Sequence, residues 1–370
     1  MRHRAVGALL VLAIVVAGCS SSKSNKSEGS GGGSSSSAGI NVSSAKQFLG
    51  QHVTNNNQLG VPKLDGPVPK NKTVDVINCP FAVCTEVGTA MQQATKILGW
   101  HYRSIPMNGT PQGYLQAWQQ VAQSPGDGVV DFDNVTPDSS VASYAQKAKV
   151  PVVPVADTSP PSGLFKTPVV SSADIKLEGE EEANWIIQDA GKPVKSVFIY
   201  DPSVTEIASA YPGYLAAMHQ NCSACSVGLL KVSALKIGPA LAQQVVSYLQ
   251  ANPDVKYAAF GLGDLATGVP AAIKAAGLQN QVKLVTRAAS PSNLEDVTSG
   301  GFAAAFTSEI YENAYWALNT LLRDMDGKSL APNIPGHAYL FTPSHPDQND
   351  TQVFTVPGYV DQFKRAWGLS

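Results

Sequence analysis

Apolar and polar positions along the chain fall into three regimes. Ala5 to Val16 is an almost unbroken apolar run, and residues 20–38 are nearly all Ser, Gly and Lys. From Lys72 onward, short apolar runs alternate with segments whose apolar positions recur at helical spacing. Val74-Asp75-Val76-Ile77-Asn78 reads as a buried strand, and Gly88 to Leu98 as a helix with Val87, Met91, Ala94 and Leu98 on one face. Gly99 stops it. Tyr102–Pro106, Gly128–Phe132 and Val150–Val155 read as further strands, separated by helices at Gln112–Gln123 and Asp138–Ala148. The alternation then repeats. Helices at Leu177–Gly191, Ser209–Gln220, Ala240–Asn252 and Gly263–Ala276 lead to strands at Ser196–Tyr200, Val227–Val232, Tyr257–Phe260 and Val282–Thr286. A long helix at Glu309–Asp326 and a late strand at Tyr339–Phe341 follow. Between tether and first strand, residues 39–70 read as an irregular lead-in with a short helix at Ser43–Gln51. Strands alternating with helices predict parallel sheets covered on both faces. Two consecutive runs predict two similar α/β lobes, each doubly wound and Rossmann-like.

The N-terminal regimes are not part of that fold. Arg2 and Arg4 precede an apolar stretch too short for a spanning helix, which needs roughly 20 residues. Val16-Ala17-Gly18-Cys19 closes it with small residues, as a signal peptidase requires. A Cys directly after Ala-Gly resembles the bacterial lipobox, which implies acylation of Cys19 and cleavage just before it. The Ser/Gly run behind it buries too little apolar surface to offset its ordering entropy and serves as a flexible tether. The expected organisation is a signal peptide at 1–18 and a lipidated Cys with tether at 19–46. An N-terminal lobe takes 47–172 plus 309–338, and a C-terminal lobe takes 173–308 plus 339–370. The protein is expected to be lipid-anchored to the cell membrane on its extracytoplasmic side, in a periplasm or at an outer cell surface.

Composition narrows the picture further. Hydrophobic residues make up 44% of the chain, enough for a substantial core. The formal net charge of −2 lacks the basic footprint of a nucleic-acid binder. Of five cysteines, Cys19 is set aside for the lipid. Cys79, Cys84, Cys222 and Cys225 admit three pairings. Export favours disulfides, and proximity in sequence points to Cys79–Cys84 and Cys222–Cys225. His101, His219, His337 and His345 have no metal-ligand spacing, and no G-x-S-x-G elbow or nucleophile–base pair is visible. No metal, cofactor or catalytic residue is expected, and the chain does not read as an enzyme. The acidic run Glu178-Gly179-Glu180-Glu181-Glu182 reads as a solvated helix start, where carboxylates suit the dipole. Gly261-Leu262-Gly263-Asp264 reads as a turn opening a helix rather than a dinucleotide loop, with Asp264 in the first turn.

Several local stretches, in order, resemble the ribose-type (type I) periplasmic solute-binding proteins of ABC importers over about Lys72 to Phe341. They are Asn78-Cys79-Pro80-Phe81-Ala82-Val83 after the first strand, Leu98-Gly99-Trp100, and Asp127-Gly128-Val129-Val130 followed by Asp138. Ala148-Lys149-Val150-Pro151-Val152-Val153 and Asn252-Pro253-Asp254-Val255 complete the set. The resemblance implies two lobes joined by three crossings, near Ser172, Ser308 and Ala338, closing on a solute. It places Asn78, Phe81 and Asp157 at ligand-contacting positions of the first lobe. In the second lobe the family's polar anchors fall on Ala210 or Tyr211, Leu262-Gly263, Ala288 and Ser308 instead. That substitution pattern predicts a polar first wall and a more apolar second wall of Tyr211, Leu262 and Arg287. The Arg287 fork could clamp a carboxylate or make a surface or hinge ion pair. The implied solute is small, sugar-like or amphiphilic, and hydroxylated. The implied partners are that solute, the membrane through the lipid, and ABC permease subunits, with the chain acting as a monomer. A sensory lipoprotein reporting a solute to a membrane signalling partner shares the same features and stays open as the alternative.

Overall fold

The computed structural model describes residues 39–53, 58–132, 139–156, 168–307, 310–328, 338–344 and 355–369. The expected signal peptide, Cys19 and residues 20–38 of the tether, together with Asp157 and Ser308, lie outside the described residues.

Two sheets organise the chain. The first has the order β2-β1-β3-β4, with β1 at Thr73–Asn78, β2 at His101–Pro106, β3 at Gly128–Phe132 and β4 at Val152–Pro154. All its pairings are parallel. Side chains alternate across it as a strand requires. Val74, Val76 and Val130 join the main core, under α2 (Ala82–Leu98) and α10 (Ile310–Met325). Ile77 and Val129 face the opposite way, into a separate cluster with Tyr114, Trp118, Val141 and Ala145 from α3 (Pro111–Gln123) and α4 (Ser139–Ala148).

The second sheet has the order β10-β9-β8-β7-β5-β6. Its strands are β5 (Lys195–Tyr200), β6 (Ser226–Lys231), β7 (Val255–Phe260), β8 (Lys283–Thr286), β9 (Ala304–Thr307) and β10 (Tyr339–Phe341). Among the described residues, only β10 runs antiparallel, against β9. Its helices are α5 (Ser172–Ala190), α6 (Thr205–Asn221), α7 (Pro239–Ala251), α8 (Val269–Ala275) and α9 (Pro291–Thr298). The chain passes between lobes three times: from β4 to α5, from β9 to α10, and from α10 back to β10.

The ends of the chain depart from the expected lobe division. The lead-in helix α1 (Val42–His52) packs on α5 and α6, so it belongs with the second sheet's helices rather than with the tether and first lobe. The last helix, α11 (Tyr359–Ala366), packs on α10, where Tyr359, Phe363 and Trp367 surround Tyr315. The Leu59 amide donates to Gln362 Oε1 and the Leu64 amide to the Ala366 carbonyl. Neither partnership is legible locally, because each joins segments far apart in sequence.

The α5–α6 crossing is close because two glycines face it. A Cβ on Gly179 would lie 2.1 Å from the Ala210 carbonyl oxygen, and one on Gly213 would lie 1.9 Å from that of Lys176. This packing overturns the solvated reading of the acidic run. Glu181 and Glu182 are buried, and Glu178 is nearly so. With α6 on one side and α1 on another, α5 has little face left for water.

Both close cysteine pairs are bridged, with Cα–Cα separations of 5.7 Å for Cys79–Cys84 and 5.3 Å for Cys222–Cys225. The first ties the end of β1 to the first turn of α2.

Candidate functional site

A cavity of about 80 Å³ lies between the lobes, outside the carboxyl ends of both sheets. Open α/β sheets bind ligands at this place. For scale, an apolar cavity that admits benzene measures about 150 Å³.

The first lobe contributes an apolar wall. Phe81, Val83 and Val87 come from the start of α2, Phe132 from the end of β3, and Val155 and Ala156 from beyond β4. The second lobe contributes Leu262 after β7, Arg287 and Ala288 after β8, Glu178 from α5 and Glu206 from the first turn of α6. Ala156 and Ala288 both adopt left-handed backbone, at φ 57° and 44°. Non-glycine residues rarely hold that conformation, and such strain concentrates at ligand sites.

The expected polarity is therefore reversed. The first lobe's wall is apolar apart from Asn313 of α10, and the second lobe carries the charge. Phe81, Leu262 and Arg287 line the cavity. Asn78 does not. Its Nδ2 donates to the Tyr102 hydroxyl at 3.1 Å, and it packs against Gly88 of α2. As the last residue of β1 it shares the face of Val74 and Val76, and so turns under α2 rather than out into the cleft. Tyr211 does not line it either. Its ring stacks on Tyr200 at 5.9 Å and 18° and packs on Phe198 at 5.5 Å. Only the first turn of α6 reaches the cleft, and Tyr211 sits five residues beyond Glu206, about 7.5 Å further along the helix axis.

Arg287 is fully buried, and its fork is occupied. Nε donates to Glu178 Oε2 at 2.5 Å, Nη1 to the Gly261 carbonyl at 2.6 Å and Nη2 to Glu206 Oε1 at 2.6 Å. Nη2 also contacts Glu178 Oε2. The carboxylate clamp is thus taken by the protein's own acids. Burial opposes the charge on Arg287, but Glu178 and Glu206 hold the guanidinium above its ordinary pKa. Burial also raises the Glu178 carboxyl above the usual range, against the pull of Arg287. Behind them, burial raises Glu181 and Glu182 well above that range.

The cleft is bridged by hydrogen bonding at its edge. Asp264, in the 3-10 turn Gly263–Ala266, accepts the Val83 amide at 3.2 Å. The Ala82 amide and the Ser290 hydroxyl also favour its ionised form, while burial raises its pKa overall. No side chain of the first lobe caps α2, so a carboxylate from the opposite lobe occupies its positive end. The expected helix at Gly263–Ala276 is correspondingly split, with Gly268 in left-handed conformation between the 3-10 turn and α8. That break lets Asp264 turn toward the first lobe.

Glu178 and Glu206 were not among the expected site residues. Glu178 lies in an acidic run that reads as surface, and Glu206 lies ahead of the helix expected at Ser209–Gln220, which the structure starts at Thr205. The meeting of both with a single Arg on a third element is a tertiary fact.

No family model matches the chain, and no curated protein matches it. Solved structures do. One is an ABC transporter periplasmic solute-binding protein from Actinobacillus succinogenes 130z with bound D-allose, at TM-score 0.66 and 15% identity, covering 75% of this chain and 100% of that one. Another is a carbohydrate transporter solute-binding protein from Agrobacterium radiobacter in complex with D-arabinose, at 0.66 and 18%, covering 76% and 96%. A third is a periplasmic ribose ABC transporter from Conexibacter woesei DSM 14684, at 0.62 and 14%, covering 77% and 96%. Two parallel-dominated lobes, three crossings and a cleft at the strand ends, shared with these receptors over three quarters of the sequence, give this chain the type I periplasmic solute-binding fold.

Proposed function

We propose that this chain is the solute-binding lipoprotein of an ABC importer. It captures a small sugar-like or amphiphilic hydroxylated solute between its lobes and hands it to a membrane permease. The observation that carries the reading is the cavity at the carboxyl ends of both sheets, with an apolar wall from one lobe and hydrogen-bond acceptors from the other. Glu178 and Glu206 each spend one oxygen on Arg287 and keep the other without a partner among the described residues. Such acceptors suit solute donors, and the aromatic and aliphatic wall suits an apolar ring face. The cavity is smaller than a pyranose requires, so capture involves hinge opening and reclosure, as in other two-lobed binding proteins. The lipid on Cys19 and the Ser/Gly tether would hold the receptor near its permease.

The test is to identify, by mass spectrometry, small molecules released on denaturing the purified protein, and to titrate the identified solute into the parent and Leu262→Trp. Leu262 is buried in the cavity wall, and the indole would fill the space. Affinity is expected to fall at least about a hundredfold, or ~2.7 kcal/mol, with the fold intact by circular dichroism. Unchanged affinity in the folded variant would overturn the assignment of the cleft.

A further inference from the structure

The cleft holds more acid than its cation balances. Among the described residues lining the cavity, the charged side chains are Glu178, Glu206 and Arg287. Arg287 is bound to both carboxylates and to the Gly261 carbonyl. One positive charge therefore faces two negative ones, in a space otherwise walled mainly by apolar residues such as Phe81, Val87, Phe132, Val155 and Leu262, with Asn313 of α10 the other polar side chain among the described lining residues. Glu206 has a side chain only 9% exposed, and its Oε2 has no hydrogen-bond partner among the described residues. Buried charge of this kind is compensated in stable structures, because leaving it uncompensated costs several kcal/mol.

Three features of the surroundings favour compensation by a ligand. No Lys or His lines the cavity among the described residues. Arg287 has committed Nε and both terminal nitrogens to the protein. Asp264, at the cleft edge, is matched to the N-terminus of α2, so that helix end is not open to an anionic solute. An anionic ligand would meet two carboxylates and find its natural anchors occupied. A neutral polyol would satisfy the acceptors and leave the charge uncorrected. Burial already pushes Glu178 toward its protonated form, a tension that a cation beside it would relieve.

Resting on the cleft reading above, we propose that the solute is an organic cation. Its ammonium group sits against the free oxygens of Glu178 and Glu206, and its apolar body or ring face lies against Phe81, Val87 and Phe132. Hydroxyls elsewhere on the solute are compatible with this site, and an amino-substituted ring meets all its demands. The guanidinium holds the two carboxylates at a fixed spacing, so Arg287 positions the acceptors instead of binding solute.

The experiment uses matched pairs differing mainly in charge: cyclohexylammonium against cyclohexanol, and D-glucosamine against D-glucose. Each is titrated calorimetrically at neutral pH into the parent, Glu206→Gln, Glu178→Gln and Leu262→Trp, with folding checked by circular dichroism. In at least one pair the cation is expected to bind the parent at least tenfold more tightly than its neutral partner. Either Gln variant that folds should shrink that ratio at least fivefold. Neutral members that bind as tightly as their cations in both pairs overturn the proposal. So does a ratio unchanged in a folded Gln variant, or failure of both cations to bind at millimolar concentration. The Leu262→Trp arm separates the two readings. Where the charge ratio has failed, loss of neutral-probe binding in this variant leaves the cleft standing and the charge inference alone overturned. If binding of either class survives it, the cleft assignment itself fails.

Discussion

The Asp264 carboxylate of the second lobe accepts the Val83 amide of the first at 3.2 Å. This bond makes the start of α2 depend on the position of the other lobe. α2 begins at Ala82, six residues before the expected Gly88, and has no side-chain cap of its own. The Cys79–Cys84 bridge and Asp264 together hold its first turn. The second lobe thereby supplies a carboxylate to a helix end of the first.

Asp264→Ala is expected to shift the solute-free protein toward the open form. Small-angle scattering should show a larger radius of gyration than for the parent. Solute affinity should drop about fivefold to tenfold, close to the 1 kcal/mol typical of a lost helix cap. Identical scattering curves with and without the substitution would mean that the bond does not govern closure.

Anchoring is tested at Cys19. Cys19→Ala should move the protein from the membrane fraction to the soluble fraction, or leave an uncleaved precursor of higher mass. A variant that partitions and migrates as the parent does would rule out the lipid.

Glu312 sets a pH dependence. It is fully buried on α10, where Oε1 accepts the Val356 amide at 2.5 Å and Oε2 is unpartnered among the described residues. Burial pushes its pKa from 4.5 to about 7. The folded protein thus keeps the proton through a range in which the unfolded chain loses it. Its contribution is neutral below pH 4.5 and increasingly destabilising from there up to about 7, then constant. Glu312→Gln keeps the acceptor for Val356 and removes the titration. The variant should gain up to about 3 kcal/mol over the parent at pH 8, and nothing at pH 4. Denaturant melts at both pH values measure this, and an equal difference at both would exclude Glu312 as the source.

Gly179 tests the α5–α6 crossing. An added methyl would meet the Ala210 carbonyl at 2.1 Å, backbone that cannot swing aside. Gly179→Ala should cost about 3 kcal/mol or more, beyond the usual overpacking penalty, despite alanine's better helix propensity. A thermal midpoint at or above the parent's would show that the helices separate at little cost.

Much of the fold can be read in the sequence because it depends on periodicity. The β1 run Val74-Asp75-Val76-Ile77-Asn78, the stop at Gly99 and the repeated strand–helix alternation each follow from local spacing. So do the two disulfides, since residues three to five apart can scarcely avoid each other. The strand β9 and the helices α9 and α11 escaped that reading. They are short, and their apolar residues find partners only in distant segments, as Phe363 does at Tyr315.

The site divides in the same way. The resemblance to the ribose-type binding proteins pointed to Phe81, Leu262 and Arg287, and all three line the cavity at the strand ends. Tertiary structure decided what each side chain does. Asn78 turns under α2 since strand alternation gives its side chain that face, and Tyr211 lies too far along α6. Glu178, Glu206 and Arg287, from α5, α6 and the end of β8, form one ion network only because the α5–α6 glycine contact brings their helices together over the sheet. Charge in a sequence is a sum over residues. Charge in a cleft depends on which carboxylates are buried together, and in this protein that is set by a helix crossing and by the covering of α5 by a segment more than a hundred residues upstream.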